Sequence, residues 1–201
     1  EIDGQIRSDE MQYSVESVTA STMEGTGEGN KVQFLVTRVG DSSLTSRVGF
    51  QVAGNGENPA DADDFAGGVY PSGVVEFAAG ETSKLIEIEL AGDSELEGFE
   101  TFVTTLVAQD ANTLITNGSA VHTIDPDDAA VSIVATNSVV KEGSTEPQPH
   151  TFTLTRTEYA GAAIVVNWSL IGAGANPVDA ADFGGSLPSG SIEFGPGETL
   201  K

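Results

Sequence analysis

Apolar and polar residues alternate along much of this chain with the two-residue period of a half-buried β-strand. Val32, Phe34 and Val36 alternate with Lys31, Gln33 and Leu35; Val48, Phe50 and Val52 alternate with Gly49, Gln51 and Ala53; Ile86, Ile88 and Leu90 alternate with Glu87 and Glu89. The β pattern starts at Tyr13 and continues through further strands predicted at 74–77, 101–107 and 119–124, with Gly, Asn and Pro between them. No segment keeps a helical period over three turns. Seven or so short strands in about 118 residues predict a β-sandwich.

The pattern occurs twice. Glu24-Gly25, Asn58-Pro59 and Asp64-Phe65 return as Glu142-Gly143, Asn176-Pro177 and Asp182-Phe183, an offset of 118 residues, and Thr37-Arg38 returns as Thr155-Arg156. After one deletion, Pro71-Ser72-Gly73 and Gly80-Glu81-Thr82 return as Pro188-Ser189-Gly190 and Gly197-Glu198-Thr199. The expected organisation is a linker or leader at 1–12, one sandwich at 13–129, and the N-terminal part of a second at 130–201. The fold class is therefore all-β, tandem β-sandwiches with the second incomplete. Trp168 sits 118 residues after Phe50, on the apolar face of its strand, and is expected to be a core aromatic. The matches to 84–90, 101–107 and 119–124 fall beyond Lys201, so the face carrying Phe152, Leu154, Val166, Trp168 and Phe194 is expected to be covered by a neighbouring copy or by further chain. An internal-looking start and a half-finished repeat suggest a chain cut from something longer.

Charge narrows the partners. The 31 Asp and Glu outnumber the 8 Lys and Arg, leaving a net charge of −23, with no basic surface for nucleic acid or anionic membranes. A cation is the natural partner, although the same charge could equally serve solubility. With no cysteine there is no disulfide, thiolate metal site or Cys nucleophile. No apolar run is long enough to insert directly into a membrane. His122 lies in a strand pattern and His150 follows Pro147-Gln148-Pro149, so neither is set beside a nucleophile, and a non-enzyme is expected. Asn117 and Asn167 fit the glycosylation sequon by residue type, a short and unspecific match.

The position of the acids is more informative than their number. Asp93, Glu95, Glu97 and Glu100 fall within eight residues, just before the strand predicted from Thr101. Asp125-Pro126-Asp127-Asp128 follows the last strand, Asp61, Asp63 and Asp64 share another loop, and Glu24 closes the first strand. Loops at one end of a sandwich can meet in space, and carboxylates gathered there repel unless a cation lies among them.

At these residues the chain resembles the Calx-β domain family, the calcium-binding immunoglobulin-like sandwich of the sodium/calcium exchanger and of many large secreted or cell-surface repeat proteins. The markers are Glu24-Gly25, the run 62–65, the strand and turn 73–82, the stretch 93–102 and the closing run 124–128. The resemblance makes the tandem sandwiches immunoglobulin-like and implies Ca²⁺ ligated by Glu24, Asp64, Asp93, Glu97, Glu100, Asp125, Asp127 and Asp128, with Glu95 offering its backbone carbonyl. Gly92 and Ser94 stand where fuller sites show Asp, and Pro126 interrupts an acidic triplet, which points to one or two ions. In the second unit only Glu142 and Asp182 have matches, too few oxygens for a tight site.

The function expected is a calcium-binding, non-catalytic repeat module of an extracellular, adhesin-like protein, in which Ca²⁺ rigidifies the sandwich and the junction to adjacent repeats. Two other readings are an accessory module of a secreted enzyme or strand-complemented assembly, and a calcium sensor of a membrane transporter.

Overall fold

The computed structural model describes residues 10–110, 113–137, 139, 146 and 148–201. These form two compact units that divide between Pro126 and Asp127. The first contains strands β1 (Met11–Ser17), β2 (Ser21–Met23), β3 (Glu28–Val39), β4 (Ser46–Gly54), β5 (Ser72–Phe77), β6 (Ser83–Ala91), β7 (Glu100–Ala108), β8 (Thr113–Asn117) and β9 (Ser119–Asp125). The second contains β10 (Ala129–Ala135), β11 (Phe152–Glu158), β12 (Ile164–Ser169), a short 3-10 helix (Ala180–Phe183) and β13 (Ser189–Phe194). No helix among the described residues is long and apolar enough to cross a membrane.

In the first unit a four-stranded sheet, β6-β3-β1-β8, packs on a five-stranded sheet, β2-β9-β7-β4-β5. Alternation decides which side chains enter the space between them. Val32, Phe34 and Val36 of β3 and Ile86, Ile88 and Leu90 of β6 are buried, facing Val48 and Val52 of β4, Phe77 of β5 and Phe102 and Leu106 of β7. On the outer face, Gln33 donates to Glu87 at 2.9 Å. Phe34 meets Phe102 edge-on at 5.9 Å, the geometry favoured by ring quadrupoles. Burying each such large side chain contributes about 1.5–3 kcal/mol, so this core accounts for much of the unit's cohesion.

The chain crosses from one sheet to the other between β1 and β2, and His122 holds that crossing. Its Nδ1 lies 2.9 Å from Ser17 Oγ and 3.0 Å from Thr19 O, and its Nε2 lies 3.0 Å from Thr22 Oγ1. The ring is buried against Phe34 and Phe102, and burial pushes its pKa down. It is a core histidine, fully buried within β9.

Register sets which loops meet. Glu28 pairs with Ala91, Gly54 with Phe102, Glu100 with Ile124 and Met23 with Asp125. The segments after β2, β4 and β6 and the end of β9 therefore converge at one pole of the sandwich, which brings together Glu24, the 61–64 acids, the 93–100 acids and Asp125. Two expectations need adjusting. Glu24 follows β2, a three-residue strand too short to read from alternation, and so does not close the first strand. The first strand also begins at Met11, inside the span assigned to a linker.

In the second unit β10 pairs with β11, and β12 pairs with β13. Leu154 and Phe194 are buried, while Trp168 is 38% exposed on the face expected to need covering by further chain or a neighbouring copy. Alternation shows which face a side chain takes, but not whether a second layer covers that face. Trp168 lies over Gly190, its cross-strand partner, as Phe50 lies over Gly73 in the first unit.

Candidate metal centre

The loop from Asn55 to Pro71 carries Asp64 and is anchored from within. Ala60 and Phe65 are fully buried, Phe65 packing edge-on against Phe102 at 5.2 Å and pairing as an isolated bridge with Leu90. Tyr70 Oη donates to Ala60 O at 3.0 Å, and the Ala91 amide donates to Asp64 O at 2.9 Å. The loop also caps itself: the Asp61 amide donates to Asp64 Oδ2 at 2.5 Å, and the Asp63 amide donates to Asp61 Oδ1 at 2.7 Å. These bonds hold the carboxylate of Asp64, which is only 7% exposed, at the pole.

Glu100 opens β7, and Glu97 stands three residues earlier in the segment between β6 and β7. One carboxylate oxygen from each of Asp64, Glu97 and Glu100 lies within 4.8 Å of the other two. At that separation and an effective dielectric near 20, two unit charges repel by about 3–4 kcal/mol. Burial and this repulsion together raise the pKa values of Glu97 and Glu100. The Glu100 carboxyl is pushed up to about 8, first by burial, then by its hydrogen bond to Asp64 and by the charges of Asp64, Glu97 and Asp61. Glu97 is also raised, first by burial and then by the charges of Asp64, Asp93, Glu95 and Asp61. Without a cation the trio keeps a proton on Glu100 near neutral pH, shared toward Asp64.

The donor set fits a hard divalent cation. All three groups offer oxygen and none offers sulfur or imidazole, which suits calcium, magnesium or manganese better than zinc. Oxygens on opposite sides of an ion bound at about 2.4 Å stand about 4.8 Å apart, so one calcium can span such a trio. Asp64, Glu97 and Glu100 would hold it, with further oxygens still needed to reach 6 to 8.

The remaining expected ligands are placed less uniformly. Asp93 and Glu95 are exposed; the Glu95 amide donates to Asp93 Oδ1 at 2.6 Å, and both act on Glu97 through their charge. Asp125 ends β9, with its Oδ2 accepting from Ser21 Oγ at 2.6 Å and its carbonyl accepting from the Glu24 amide at 3.0 Å. Glu24 is buried at the same pole. Asp127 and Asp128 belong to the second unit, where Asp128 O accepts from the Tyr159 amide at 3.3 Å. Glu142 lies outside the described residues. Asp182 is exposed in the 3-10 helix, where its Oδ2 accepts from the Asp179 amide at 2.8 Å; among the described residues it joins no acidic cluster. The capping role of Asp61 was missed. Its signal was an Asp three residues before another Asp, the spacing of a capping box, present again as Asp179 and Asp182.

A two-sheet β-sandwich with its carboxylates gathered at one pole defines the class of this protein. The chain belongs to the Calx-beta domain family, whose sequence profile matches residues 7–137. Among solved structures, CBD12 from CALX1.2 is 20% identical with a TM-score of 0.51, covering 94% of this chain and 74% of that one. The apo-form Calx CBD1 domain is 22% identical with a TM-score of 0.48, covering 60% of this chain and 100% of that one. The calcium binding domain CBD12 of CALX1.1 is 22% identical with a TM-score of 0.49, covering 93% of this chain and 72% of that one. The first of these likenesses supports the sandwich fold. No curated protein matches the chain.

Proposed function

We propose that the chain is a calcium-binding, non-catalytic module of an extracellular or cell-surface protein, in which Ca²⁺ stiffens the acidic pole of the sandwich. The observation that carries the reading is the Asp64, Glu97 and Glu100 trio in a Calx-beta domain, with Glu100 pushed up to about 8. Calcium would replace mutual repulsion with attraction and tie the Asp64 loop to β7. Asp93, Glu95, Asp125, Asp127, Asp128 and Glu24 remain proposed contributors on the ground of the family pattern. The second unit is proposed to be the N-terminal part of a second such sandwich, since its loops repeat the first unit's hydrogen bonds.

Melting with millimolar Ca²⁺, with millimolar Mg²⁺ and with EDTA tests the reading. A ligand at 100 times its dissociation constant adds about 2.7 kcal/mol, so calcium should raise the melting temperature by several degrees over both other conditions. Identical curves in calcium and EDTA would remove calcium from the account. The titration also separates a second reading, a regulatory sensor, which is favoured by the fold match to CBD12 from CALX1.2 over 94% of the chain. A dissociation constant of about 10⁻⁷ to 10⁻⁵ M would support the sensor, and one of about 10⁻⁴ to 10⁻³ M the extracellular module.

A further inference from the structure

One residue fastens the loop bearing Asp64 to the strand bearing Glu100. The Thr101 amide donates to Asn58 O at 3.0 Å, and its carbonyl accepts from the amides of Asn55 and Ala60, each at 2.9 Å. Its hydroxyl donates to Asn55 O, and Pro59 pairs with Thr101 as a parallel bridge. Gly56, at φ +81°, permits the approach, since a Cβ there would come within 2.9 Å of Thr101 Oγ1.

The loop also has bonds of its own that set its shape, and the second unit repeats them. In the second unit Gly172 closes on Pro177 and Val178 as Gly54 closes on Pro59 and Ala60. The amide of Asp179 bonds Asp182 Oδ2 as the amide of Asp61 bonds Asp64 Oδ2. Loop conformation is therefore written locally, by Gly, Pro and the Asp pair. What is not local is where the finished loop sits relative to Glu100, which Thr101 directly follows.

We propose that Thr101 is a positioning residue of the metal centre, its hydroxyl fixing the preformed Asp64 loop beside Glu100 so that both carboxylates face one cation. The proposal rests on the calcium reading above. It concerns a residue that offers no ligand itself. The main-chain bonds of Thr101 do not use its side chain, so substitution by Val or Ala removes the hydroxyl and substitution by Ser keeps it, with no main-chain donor or acceptor lost.

The test uses Thr101→Val, which keeps the shape and strand preference, Thr101→Ser, which keeps the hydroxyl, and Thr101→Ala as a second deletion should the valine variant fold poorly. Each is made in the 201-residue protein and titrated with Ca²⁺ by calorimetry, and each is melted in EDTA. We expect the valine and alanine variants to bind calcium about five- to tenfold more weakly, the loss of one well-placed hydrogen bond. The serine variant should stay within about twofold of wild type. The calcium-induced rise in melting temperature should shrink in valine and alanine and recover in serine, a rescue that general loosening would not produce. Wild-type affinity in the valine and alanine variants would overturn the clamp while leaving the calcium reading intact, and equal weakening in all three would overturn it as well. A wild type that binds no calcium would overturn both.

Discussion

The two units of this chain share their local hydrogen bonding but not their interiors. In the first, the Gly80 amide donates to Ser42 O and the Ala78 amide to Glu81 Oε2, each at 2.7 Å; in the second, the Gly197 amide donates to Ala160 O and the Gly195 amide to Glu198 Oε2 at the same distance. The Arg38 amide donates to Thr82 O, and the Arg156 amide to Thr199 O. Among the described residues, however, seventeen buried apolar side chains form the first core, against Leu154 and Phe194 in the second unit. Turns and caps are decided by a few neighbouring residues, whereas a core needs two facing sheets. The carboxylate trio follows the core. Asp182 reproduces the hydrogen bond of Asp64, but only in the first unit does β7 bring Glu100 to the loop.

The largest effect expected is on that core. Phe102 touches Phe34, Phe65 and His122, so Phe102→Ala should destabilise the first unit by about 3–5 kcal/mol. Trp168 is the chain's one tryptophan and lies in the second unit, so its fluorescence reports that unit by itself. Urea unfolding followed by far-ultraviolet circular dichroism should shift markedly while the Trp168 transition stays in place. A common shift would mean that the units unfold as one. In the unmodified protein, the Trp168 transition should also precede the main circular dichroism transition.

Next comes the repeated arginine. Arg38 is buried, with Nη1 donating to Leu44 O at 2.9 Å and Ser46 Oγ at 2.7 Å, Nη2 donating to Ser42 O and Ala78 O, and its guanidinium 5.3 Å from the Phe77 ring centre. Arg156 makes two such bonds, to Tyr159 O at 3.0 Å and Ala162 O at 2.8 Å. Arg38→Met strips carbonyls of a charged donor and should cost the first unit about 2–3 kcal/mol in urea unfolding. Arg156→Met should move the Trp168 transition by less.

A smaller effect is expected from pH. Glu100 has a folded pKa raised to about 8 from 4.5, so between those values the folded protein holds a proton that the unfolded chain has released. Stability of the metal-free first unit should therefore fall as pH rises from about 4.5 to about 8, and calcium affinity should rise over the same window as that proton is displaced. Thermal melts in EDTA and calorimetric titrations at several pH values check both directions. Glu100→Gln should flatten the slope in EDTA.

Much of the first sandwich was legible because β3, β4 and β6 alternate cleanly and their registers follow. β2 was missed because three residues show no period, and β8 because this edge strand, Thr113–Asn117, buries no residue fully. The gathering of acids at one pole could be inferred from strand ends, and Asp64, Glu97 and Glu100 were all candidates. Which of the candidates meet depended on loop paths. Asp93 and Glu95 lie in the same run as Glu97 yet are exposed, and the Glu95 amide donates to Asp93 Oδ1. Trp168 was placed on the correct face of its strand, and its partial exposure agrees with the uncovered face expected for the second unit.

The most direct measurement is calorimetric Ca²⁺ titration of Asp64→Asn beside Asp182→Asn, two substitutions at matching positions that both spare the capping acceptor. If the trio with Glu97 and Glu100 holds calcium, Asp64→Asn should weaken binding at least about tenfold, the loss of one charged ligand, while Asp182→Asn stays within about twofold of the unmodified protein. Equal losses at the two positions, or undiminished binding by Asp64→Asn, would contradict the account.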